Sequence, residues 1–408
     1  MTKGVNIMAI SFKYAEPNKD QKGLLAALDE FHYNQTKPIF VYSGPPGSGK
    51  TWIIRLFFEL HNIRHDEFIT CAYSGKASNV LARNGLPSRT IHSLIYNIER
   101  IPRLDESTGK MRMVPTFILK DKLDADYKYI VVDELSMVPD NIMADLLSFG
   151  IPIIGMGDIN QLPPVFGHGS YIAQPDFVLT EIMRQAWDSP IIKMSQYVLH
   201  DKPLAYGNYG EDCNVLPSIS IGRNLLAYDC ILCNRNATRM LINDIFRHDI
   251  LKFAKYGSLA IGDKLVCKKN CWDLSLDGLY LTNGTVGNVT YIDEEHTDGQ
   301  SIRIGFKPDY IDDDRCFDDI AISREYLENN DIVKDTSFKQ GILNFDYAYA
   351  LTVHSAQGSQ YNRVLYIDDG FSGDKEIKKK LKYTAITRAI SSIDIVDSEC
   401  FYATPLNR

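Results

Sequence analysis

The chain has 408 residues, of which 45% are hydrophobic and 24% are charged, and its formal net charge is -8. This length predicts two or three domains, and the ordinary globular composition excludes a disordered chain, a collagen-like fibre and a coiled-coil rod. The acidic balance argues against a protein that coats nucleic acid by bulk charge, although it leaves room for a narrow basic groove.

The first part of the chain alternates predicted strands and helices. Apolar runs predict strands at 39–42, 68–72, 129–132 and 151–156, and helical spacing of apolar residues predicts helices at 51–60 and 76–83. Apolar strands separated by helices are typical of a parallel sheet covered on both faces. We therefore predict an α/β domain with a parallel sheet at this end of the chain.

A glycine-rich loop follows the first predicted strand and opens the first helix. Its sequence is Gly44-Pro45-Pro46-Gly47-Ser48-Gly49-Lys50-Thr51, which fits the pattern G-x4-G-K-[ST]. Glycines let successive N–H groups face a phosphate, and the helix N-terminus adds positive potential. We predict that this loop binds ATP, with Lys50 reaching the β- and γ-phosphates and the Thr51 hydroxyl on Mg²⁺. A glycine-rich turn without a ligand is the alternative.

Two adjacent carboxylates, Asp133 and Glu134, follow the third predicted strand, at the edge where open α/β sheets bind ligands. Asp133 would hold Mg²⁺ through its hydration shell. Glu134 would polarise the attacking water as a general base. Because a carboxylate base favours water as the acceptor, the pair predicts hydrolysis rather than phosphoryl transfer to a substrate. An ordinary acidic pair at a strand end is the alternative.

Residues 100–113 form two short arms around a polar turn that contains a glycine, a pattern that predicts a hairpin. The turn carries no aromatic residue, and the nearest large apolar residues are Met111, Met113 and Phe117. A solvated surface hairpin is the alternative interpretation.

The strand–helix alternation returns in the last third of the chain. Strands are predicted at 229–233, 364–367 and 393–396, and helices at 237–246 and 375–389. The intervening segment has short alternating runs and three turn dipeptides, Asn283-Gly284, Gly287-Asn288 and Asp298-Gly299. We predict a small antiparallel barrel or sandwich inserted into a second parallel-sheet domain.

The cysteines do not form a convincing metal site. Cys230 and Cys233 have a zinc-like spacing, but they lie in a predicted strand, where residues three apart face opposite sides. Buried free thiols are the favoured interpretation, and eight scattered cysteines suggest a reducing compartment. With no apolar stretch long enough to span a membrane and no secretory signal in the first residues, we expect a cytoplasmic protein without membrane partners.

One residue and six short segments are candidate motifs, and their order along the chain is part of the pattern. They are Gln21, 72–77 (AYSGKA), 90–94 (TIHSL), 157–165 (GDINQLPPV), 181–185 (EIMRQ), 351–360 (LTVHSAQGSQ) and 383–389 (YTAITRA). Together with the glycine-rich loop and the Asp-Glu pair they resemble the RecD/Dda-like group of superfamily 1 helicases, superfamily 1B, over about residues 20–390. The chain departs from the family in two places: Tyr73-Ser74 stands where Pro-Thr is usual, and Gln360 stands where the family has a glutamate.

The resemblance implies roles at the nucleotide. Gln21 would read the adenine edge, since an amide can donate and accept at once. Gly358 would line the nucleotide site, Gln161 and Arg184 would sense the γ-phosphate, and Arg388 would be the arginine finger, whose planar fork can bind two phosphate oxygens.

The resemblance also implies contacts with nucleic acid, which would hold the backbone without reading its sequence. The implied contact residues are Ser74, Lys76, Thr90, His92, Pro164, Thr352 and His354. The lysines of 375–382 are more simply interpreted as a solvated helix face.

The implied architecture has two RecA-like parallel-sheet domains. The first spans 1–175 and carries a hairpin insertion at about 96–118; the second comprises 176–261 and 345–408, and an SH3-like β-barrel is inserted into it at 262–344. In this arrangement ATP lies between two bodies, and its binding and hydrolysis close and open the cleft.

The implied activity is that of an ATP-dependent DNA helicase that moves 5′→3′ on single-stranded DNA and unwinds duplex, with ATP and Mg²⁺ as cofactors. Its expected partners are single-stranded and forked DNA and a single-strand-binding, replication or recombination protein, and we expect a monomer in a bacterial or phage-infected cytoplasm. One alternative is an ATP-gated DNA-binding subunit of a larger complex that does not unwind alone. A P-loop kinase and an RNA track are further alternatives.

Overall fold

The structure, a computed structural model, describes residues 16–105, 110–164, 167–182, 189–219, 222–252, 259–269, 271–276, 279–311, 313–329 and 341–397. Up to residue 182 the elements in chain order are α1 (Lys19–Asn34), β1 (Ile39–Ser43), α2 (Lys50–Leu60), β2 (Phe68–Ala72), α3 (Gly75–Arg83), β3 (Ser88–Thr90), α4 (Ile91–Ile95), β4 (Tyr96–Asp105), β5 (Lys110–Leu119), β6 (Tyr129–Asp133), α5 (Asp140–Leu147), β7 (Ile153–Gly157), α6 (Ser170–Ala173) and β8 (Phe177–Val178).

The rest of the chain first forms α7 (Pro190–Leu199), β9 (Gly207–Gly210), β10 (Cys213–Leu216), β11 (Cys230–Cys233) and α8 (Asn236–Ile245), which a π-helical turn at Phe246–Ile250 extends. Then come β12 (Lys264–Cys267), β13 (Cys271–Leu276), β14 (Leu279–Leu281), β15 (Val286–Asp293), β16 (Ser301–Pro308), β17 (Phe317–Ser323), α9 (Arg324–Asn329), β18 (Ile342–Leu343) and β19 (Phe345–Tyr347). The last elements are β20 (Ala350–Thr352), β21 (Tyr361–Asp368), α10 (Lys375–Ile386) and β22 (Ala389–Asp397). No helix among the described residues is long and apolar enough to cross a membrane.

The first sheet is parallel, with strand order β3-β2-β6-β7-β1-β8. Its central strands are buried on both faces: α1, α2 and α3 cover one face, and α4, α5 and α6 cover the other. This explains why the strands are continuous apolar runs, as predicted for 39–42, 68–72 and 129–132. We call residues 16–182, apart from the β4–β5 hairpin, the first lobe.

The second sheet has the order β20-β11-β21-β22-β10-β9 and is parallel except for the edge strand β9. Apolar side chains of α7 and α10 pack on one face and those of α8 on the other. Cys230 and Cys233 belong to the cores on opposite faces, as the strand prediction required. We call residues 189–252 and 350–397 the second lobe.

The third sheet, which we call the inserted sheet, has the order β18-β17-β16-β15-β12-β19 and is antiparallel apart from the β17–β18 pair. Its edge strands β18 and β19 do not pair with each other in the part of the chain that the structure describes. The SH3-like barrel therefore stays a prediction, as do the domain boundaries: β8 lies beyond residue 175 in the first sheet, and β19 lies beyond residue 344 in the inserted sheet.

Only one of the three turn dipeptides joins two strands that pair with each other. Asp298-Gly299 lies between β15 and β16, which are antiparallel neighbours. The prediction for Gly287-Asn288 is wrong, because both residues lie inside β15. A Cβ at Gly287 would come within 2.2 Å of the Lys307 carbonyl oxygen, so this glycine permits close backbone approach rather than a turn. Asn283-Gly284 separates β14 from β15, which pair with other strands.

The inserted sheet is joined to the second lobe by a buried polar stripe on α8 and its extension. Arg239, Asn243 and Arg247 are spaced four residues apart and are all buried, so they share one helix face. Arg247 donates from Nε and from a terminal nitrogen to the Asp263 carboxylate, both at 3.1 Å, and Arg239 pairs with Asp346. The stripe thus contacts the chain both where it enters the inserted sheet and where it leaves.

β4 and β5 form an antiparallel hairpin, and its bounds are close to the 96–118 that the resemblance implied. β4 and β5 pair along ten residues each, from Tyr96 opposite Leu119 to Asp105 opposite Lys110. Its turn at 106–109 lies outside the described residues, and so do the side chains of several neighbours, Met113 among them.

Candidate active site

The glycine-rich loop joins β1 to α2 at the carboxyl edge of the first sheet. The Gly44 N–H donates to the Gly157 carbonyl at 3.0 Å, which anchors the loop to β7. Gly47 and Gly49 have φ values of 79° and 84°, in the region that favours glycine. The Lys50 ammonium donates to the carbonyls of Gly44 at 2.7 Å and Pro45 at 3.2 Å. The loop therefore curls around its own lysine, and the ammonium lies inside the curl.

Gln21 is buried behind this loop. Its Nε2 donates to the Ser48 carbonyl at 3.0 Å, and its Oε1 accepts from the Asn18 N–H at 3.1 Å as part of the capping box of α1. The predicted adenine reader is thus tied to the phosphate loop by a direct hydrogen bond, which sets the distance between the two.

The carboxylates Asp133 and Glu134 lie at the end of β6, two strands from β1. The pKa of Asp133 is raised to about 7, mainly by burial and secondly by the nearby Glu134 charge, while the Glu134 N–H bond at 2.8 Å and the Lys50 charge oppose the shift. Lys50 and Asp133 therefore belong to one electrostatic site. A buried carboxylate that is costly to ionise is stabilised by a bound cation, so the donor set of Asp133 and the Thr51 hydroxyl fits Mg²⁺.

Gln161 lies in a turn that follows β7, next to the phosphate loop. The turn is tied to the first lobe by the Ile159 N–H, which donates to Ser43 Oγ at 2.9 Å, directly before Gly44. Gln161 is only 4% exposed, and its Oε1 has no hydrogen-bond partner among the described residues. A buried acceptor without a partner is costly, so this oxygen is suited to bind a water or ligand.

Arg388 is buried in the second lobe, at the end of α10. Its Nε donates to the Thr384 carbonyl and a terminal nitrogen donates to the Ser359 carbonyl, both at 3.1 Å, while the other terminal nitrogen bonds Thr387 Oγ1 at 3.3 Å. A guanidinium has five N–H donors, so two remain for a ligand. The predicted γ-phosphate sensor Arg184 lies outside the described residues.

Gly358 lies where the two lobes meet. Its φ is 69°, and a Cβ there would come within 3.0 Å of Ser74 Oγ and 3.5 Å of Met137 Sδ in the first lobe. Its described neighbours are thus protein atoms of α3 and of the turn after Glu134. The glycine allows the loop after β20 to approach the first lobe closely.

Three of the hydroxyls predicted to contact nucleic acid cap turns of the protein. Ser74, Thr90 and Thr352 each accept, through the side-chain oxygen, a backbone N–H three residues later, all at 3.2 Å. Lys76 lies over the ring of Tyr361 of the second lobe, 4.3 Å from its centroid, and burial lowers the pKa of Lys76. Pro164 is half-buried against Gly169.

His92 is the centre of an aromatic cluster at the root of the hairpin. Its ring centroid lies 5.5 Å from that of Tyr73, 5.7 Å from Tyr96 and 5.3 Å from Phe117. Burial lowers the pKa of His92, and also that of His354, whose ring contacts Phe371. The lowered pKa favours the neutral form of both rings, which suits stacking better than charge contacts.

Three further residues near the candidate site, Tyr96, Tyr383 and Thr384, were not predicted from the sequence. Tyr96 lies four residues after His92, a spacing that could have placed both on one face. Tyr383 and Thr384 lie within a segment that was singled out for Arg388, and nothing in their spacing indicates what they contact.

Two family models and a curated relative match parts of this chain. Residues 18–213 match the family model of an AAA domain, and residues 347–392 match that of a UvrD-like helicase C-terminal domain. The ATP-dependent RecD2 DNA helicase of Deinococcus radiodurans is 25% identical over 407 residues, which cover 92% of this chain and 49% of the relative. The chain thus spans about half the length of this curated relative.

Solved structures of Bacteroides Pif1 share the fold. The structure bound to single-stranded DNA has a TM-score of 0.52 at 16% identity and covers 93% of this chain and 92% of its own. The complex with ADP-AlF3 and single-stranded DNA has a TM-score of 0.50 at 17% identity, with the same coverage. The described residues therefore have a mixed α/β, RecA-like helicase fold.

Proposed function

We propose that this chain is a RecD/Pif1-like helicase of superfamily 1B, which hydrolyses ATP to move 5′→3′ along single-stranded DNA and to unwind duplex DNA. The observation that carries the proposal is the turn at 158–162 beside the glycine-rich loop, which is bonded both to Ser43 of the first lobe and to Thr384 of the second lobe. An ATPase site at the junction of two parallel-sheet lobes can convert nucleotide turnover into relative motion of the lobes.

At the nucleotide, the loop from Gly44 to Thr51 would surround the phosphates and the Lys50 ammonium would exchange its carbonyl contacts for phosphate oxygens. Thr51 and Asp133 would hold Mg²⁺, which supplies charge neutralisation at the β- and γ-phosphates. Glu134 would accept a proton from the attacking water as the water oxygen bonds to the γ-phosphorus and the bond to the ADP oxygen breaks.

Arg388 would act from the second lobe. Its carbonyl contacts fix the guanidinium, and its two remaining donors are enough for a bidentate contact with the γ-phosphate once the lobes close. Because that phosphate would attract groups on both lobes, its release after hydrolysis would let them separate again.

DNA is the proposed track. The RecD2 relative is described as a DNA helicase, and the Bacteroides Pif1 structures contain single-stranded DNA. The aromatic cluster around His92 supports base or sugar stacking, which tolerates any sequence. The hydroxyls of Ser74, Thr90 and Thr352 keep the loops that carry them in shape. The Ser74 hydroxyl can also donate a hydrogen bond to the backbone of the strand, whereas those of Thr90 and Thr352 already donate to Ser93 and Ser355.

The hairpin is the proposed strand separator. Ile98 pairs with Phe117, and Leu104 pairs with Met111, so these positions share one face of the ribbon. Ile98, Phe117 and Met111 are 38%, 39% and 61% exposed, which leaves an apolar row open to the solvent. Opening a base-pair step costs about 1.4 kcal/mol, so an apolar steric wedge driven by translocation is sufficient.

The ATPase rate of the purified chain, measured with and without single-stranded DNA, tests the proposal. We expect hydrolysis that needs Mg²⁺ and is stimulated by single-stranded DNA of any sequence. A rate indifferent to DNA would contradict the motor and favour a kinase. DNA stimulation without strand release from a duplex would support the ATP-gated subunit instead.

A further inference from the structure

The turn that carries Gln161 is held mainly by the second lobe. The Tyr383 hydroxyl donates to the buried Asp158 carboxylate at 2.6 Å, and the Leu162 N–H donates to Thr384 Oγ1 at 3.1 Å. Gln357 Nε2 donates to the Leu162 carbonyl at 3.0 Å. All of these groups are buried, so the bonds are shielded from competing water.

The same turn has one further hydrogen bond to the second lobe and one to the first lobe. The Lys380 ammonium, on α10, donates to the Ile159 carbonyl at 2.9 Å, while the Ile159 N–H is bonded to Ser43 of the first lobe. Between these anchors Gln161 has its side-chain oxygen without a partner among the described residues. The orientation of Gln161 therefore depends on bonds to α10 that lie outside its own lobe.

Thr384 connects this turn to Arg388. Its hydroxyl accepts from the Leu162 N–H, and its carbonyl accepts from Arg388 Nε at 3.1 Å. One residue thus contacts both the turn that presents Gln161 and the guanidinium proposed as the arginine finger.

We propose that Tyr383 and Thr384 are positioning residues, which hold the turn at residues 158–162 so that Gln161 and Arg388 reach the terminal phosphate together. The inference rests on the proposed ATPase function. Two residues of α10 would thus align two catalytic groups that belong to different lobes.

Thr384→Val tests this inference, because it keeps the shape of the side chain and removes the oxygen that accepts from Leu162. We expect kcat for DNA-stimulated ATP hydrolysis to fall about five- to tenfold, in line with the loss of one buried hydrogen bond, with KM for ATP almost unchanged. Thr384→Ser should restore the rate. Thr70→Val is the matched control, since this buried hydroxyl donates to the Pro87 carbonyl rather than to a residue of the proposed nucleotide site.

The decisive comparison is made in a Gln161→Ala background. If Thr384 acts through Gln161, then Thr384→Val adds little further loss of kcat there, because interacting residues are not additive. An unchanged kcat in the single variant, or a full independent loss in the double variant, would overturn the inference. Wild-type protein without ATPase would instead overturn the proposed function, so the two failures are distinguishable.

Tyr383→Phe provides a second, milder variant that removes only the hydroxyl bonded to Asp158. It should lower kcat in the same way, whereas Tyr366→Phe, which removes a buried hydroxyl bonded to Asn234, should leave kcat unchanged. Equal rates for Tyr383→Phe and wild type would count against the inference even if Thr384→Val folded poorly.

Discussion

At the scale of single residues, the proposed chemistry depends on a balance of charge between Lys50 and Asp133. The carboxyl of Asp133 is buried beside Glu134, and Lys50 is the cation that lowers its pKa. The same ammonium is held by the Gly44 and Pro45 carbonyls, inside the loop where phosphates are expected. One side chain therefore contributes both to the acidic pair and to the phosphate loop.

Lys50→Ala should reduce ATP hydrolysis by about 10²-fold or more, as expected for the removal of a group that stabilises developing charge. Single-stranded DNA should still bind, because Lys50 is not part of the proposed track. Steady-state ATPase and fluorescence anisotropy with a labelled oligonucleotide measure the two effects, and Lys22→Ala, an exposed lysine paired with Glu16, is the control. Full ATPase in the Lys50 variant would refute the phosphate-site assignment.

The lowered pKa of His32 predicts that the stability of the fold depends on pH. Burial, and then the neighbouring His61, lower its pKa below the ordinary 6.5. As the pH falls below about 6.5 the unfolded chain takes up this proton before the folded chain does, so the free energy of unfolding should decrease. Chemical denaturation between pH 7 and about pH 5 measures the slope of the free energy of unfolding against pH. His32→Phe should flatten it, and an unchanged slope would show that His32 does not contribute.

At the scale of elements, the predicted strands and helices that the structure confirms are those with a strong apolar pattern. The strand at 68–72 was predicted with the bounds that the structure has, because the run is buried on both sides. The turn predicted at Gly287-Asn288 was wrong because glycine occurs both in turns and where two backbones approach closely. The Asp158–Tyr383 bond joins residues 225 apart, and no local pattern reports such a pairing.

The proposed role of the hairpin in strand separation can be tested separately from ATP hydrolysis. Shortening the turn between Asp105 and Lys110 should leave single-stranded-DNA-stimulated ATPase intact and reduce the number of base pairs opened per ATP. A deletion of the same size in the turn between β15 and β16 is the matched control. Strand release and phosphate release are measured on the same forked substrate, and an unchanged ratio would show that the hairpin does not separate strands.

At the scale of the whole molecule, buried polar contacts join the inserted sheet to the second lobe. The Arg247–Asp263 pair is almost fully buried, and Tyr349 donates a further hydrogen bond to Asp263 at 2.8 Å. Breaking such a pair leaves a buried charge without compensation. The junction is therefore expected to be stiff, and a sequence-based prediction could place the insertion but not this connection.

Arg247→Met should lower the free energy of unfolding by about 3–5 kcal/mol, the usual cost of removing one partner of a buried ion pair. Arg315→Met, which breaks a half-exposed pair with Asp313, should cost about 0–1 kcal/mol. Urea titration followed by tryptophan fluorescence measures both. Equal effects of the two substitutions would show that the junction is not held by the buried pair.

Nucleotide turnover between the two lobes is proposed to move the chain in one direction along a single strand. Strand release from three forked duplexes, with a 5′ tail, a 3′ tail or both, measures that direction. We expect release that requires ATP and a 5′ tail and that Lys50→Ala abolishes. Release that needs only a 3′ tail, or release without ATP hydrolysis, would contradict this proposal.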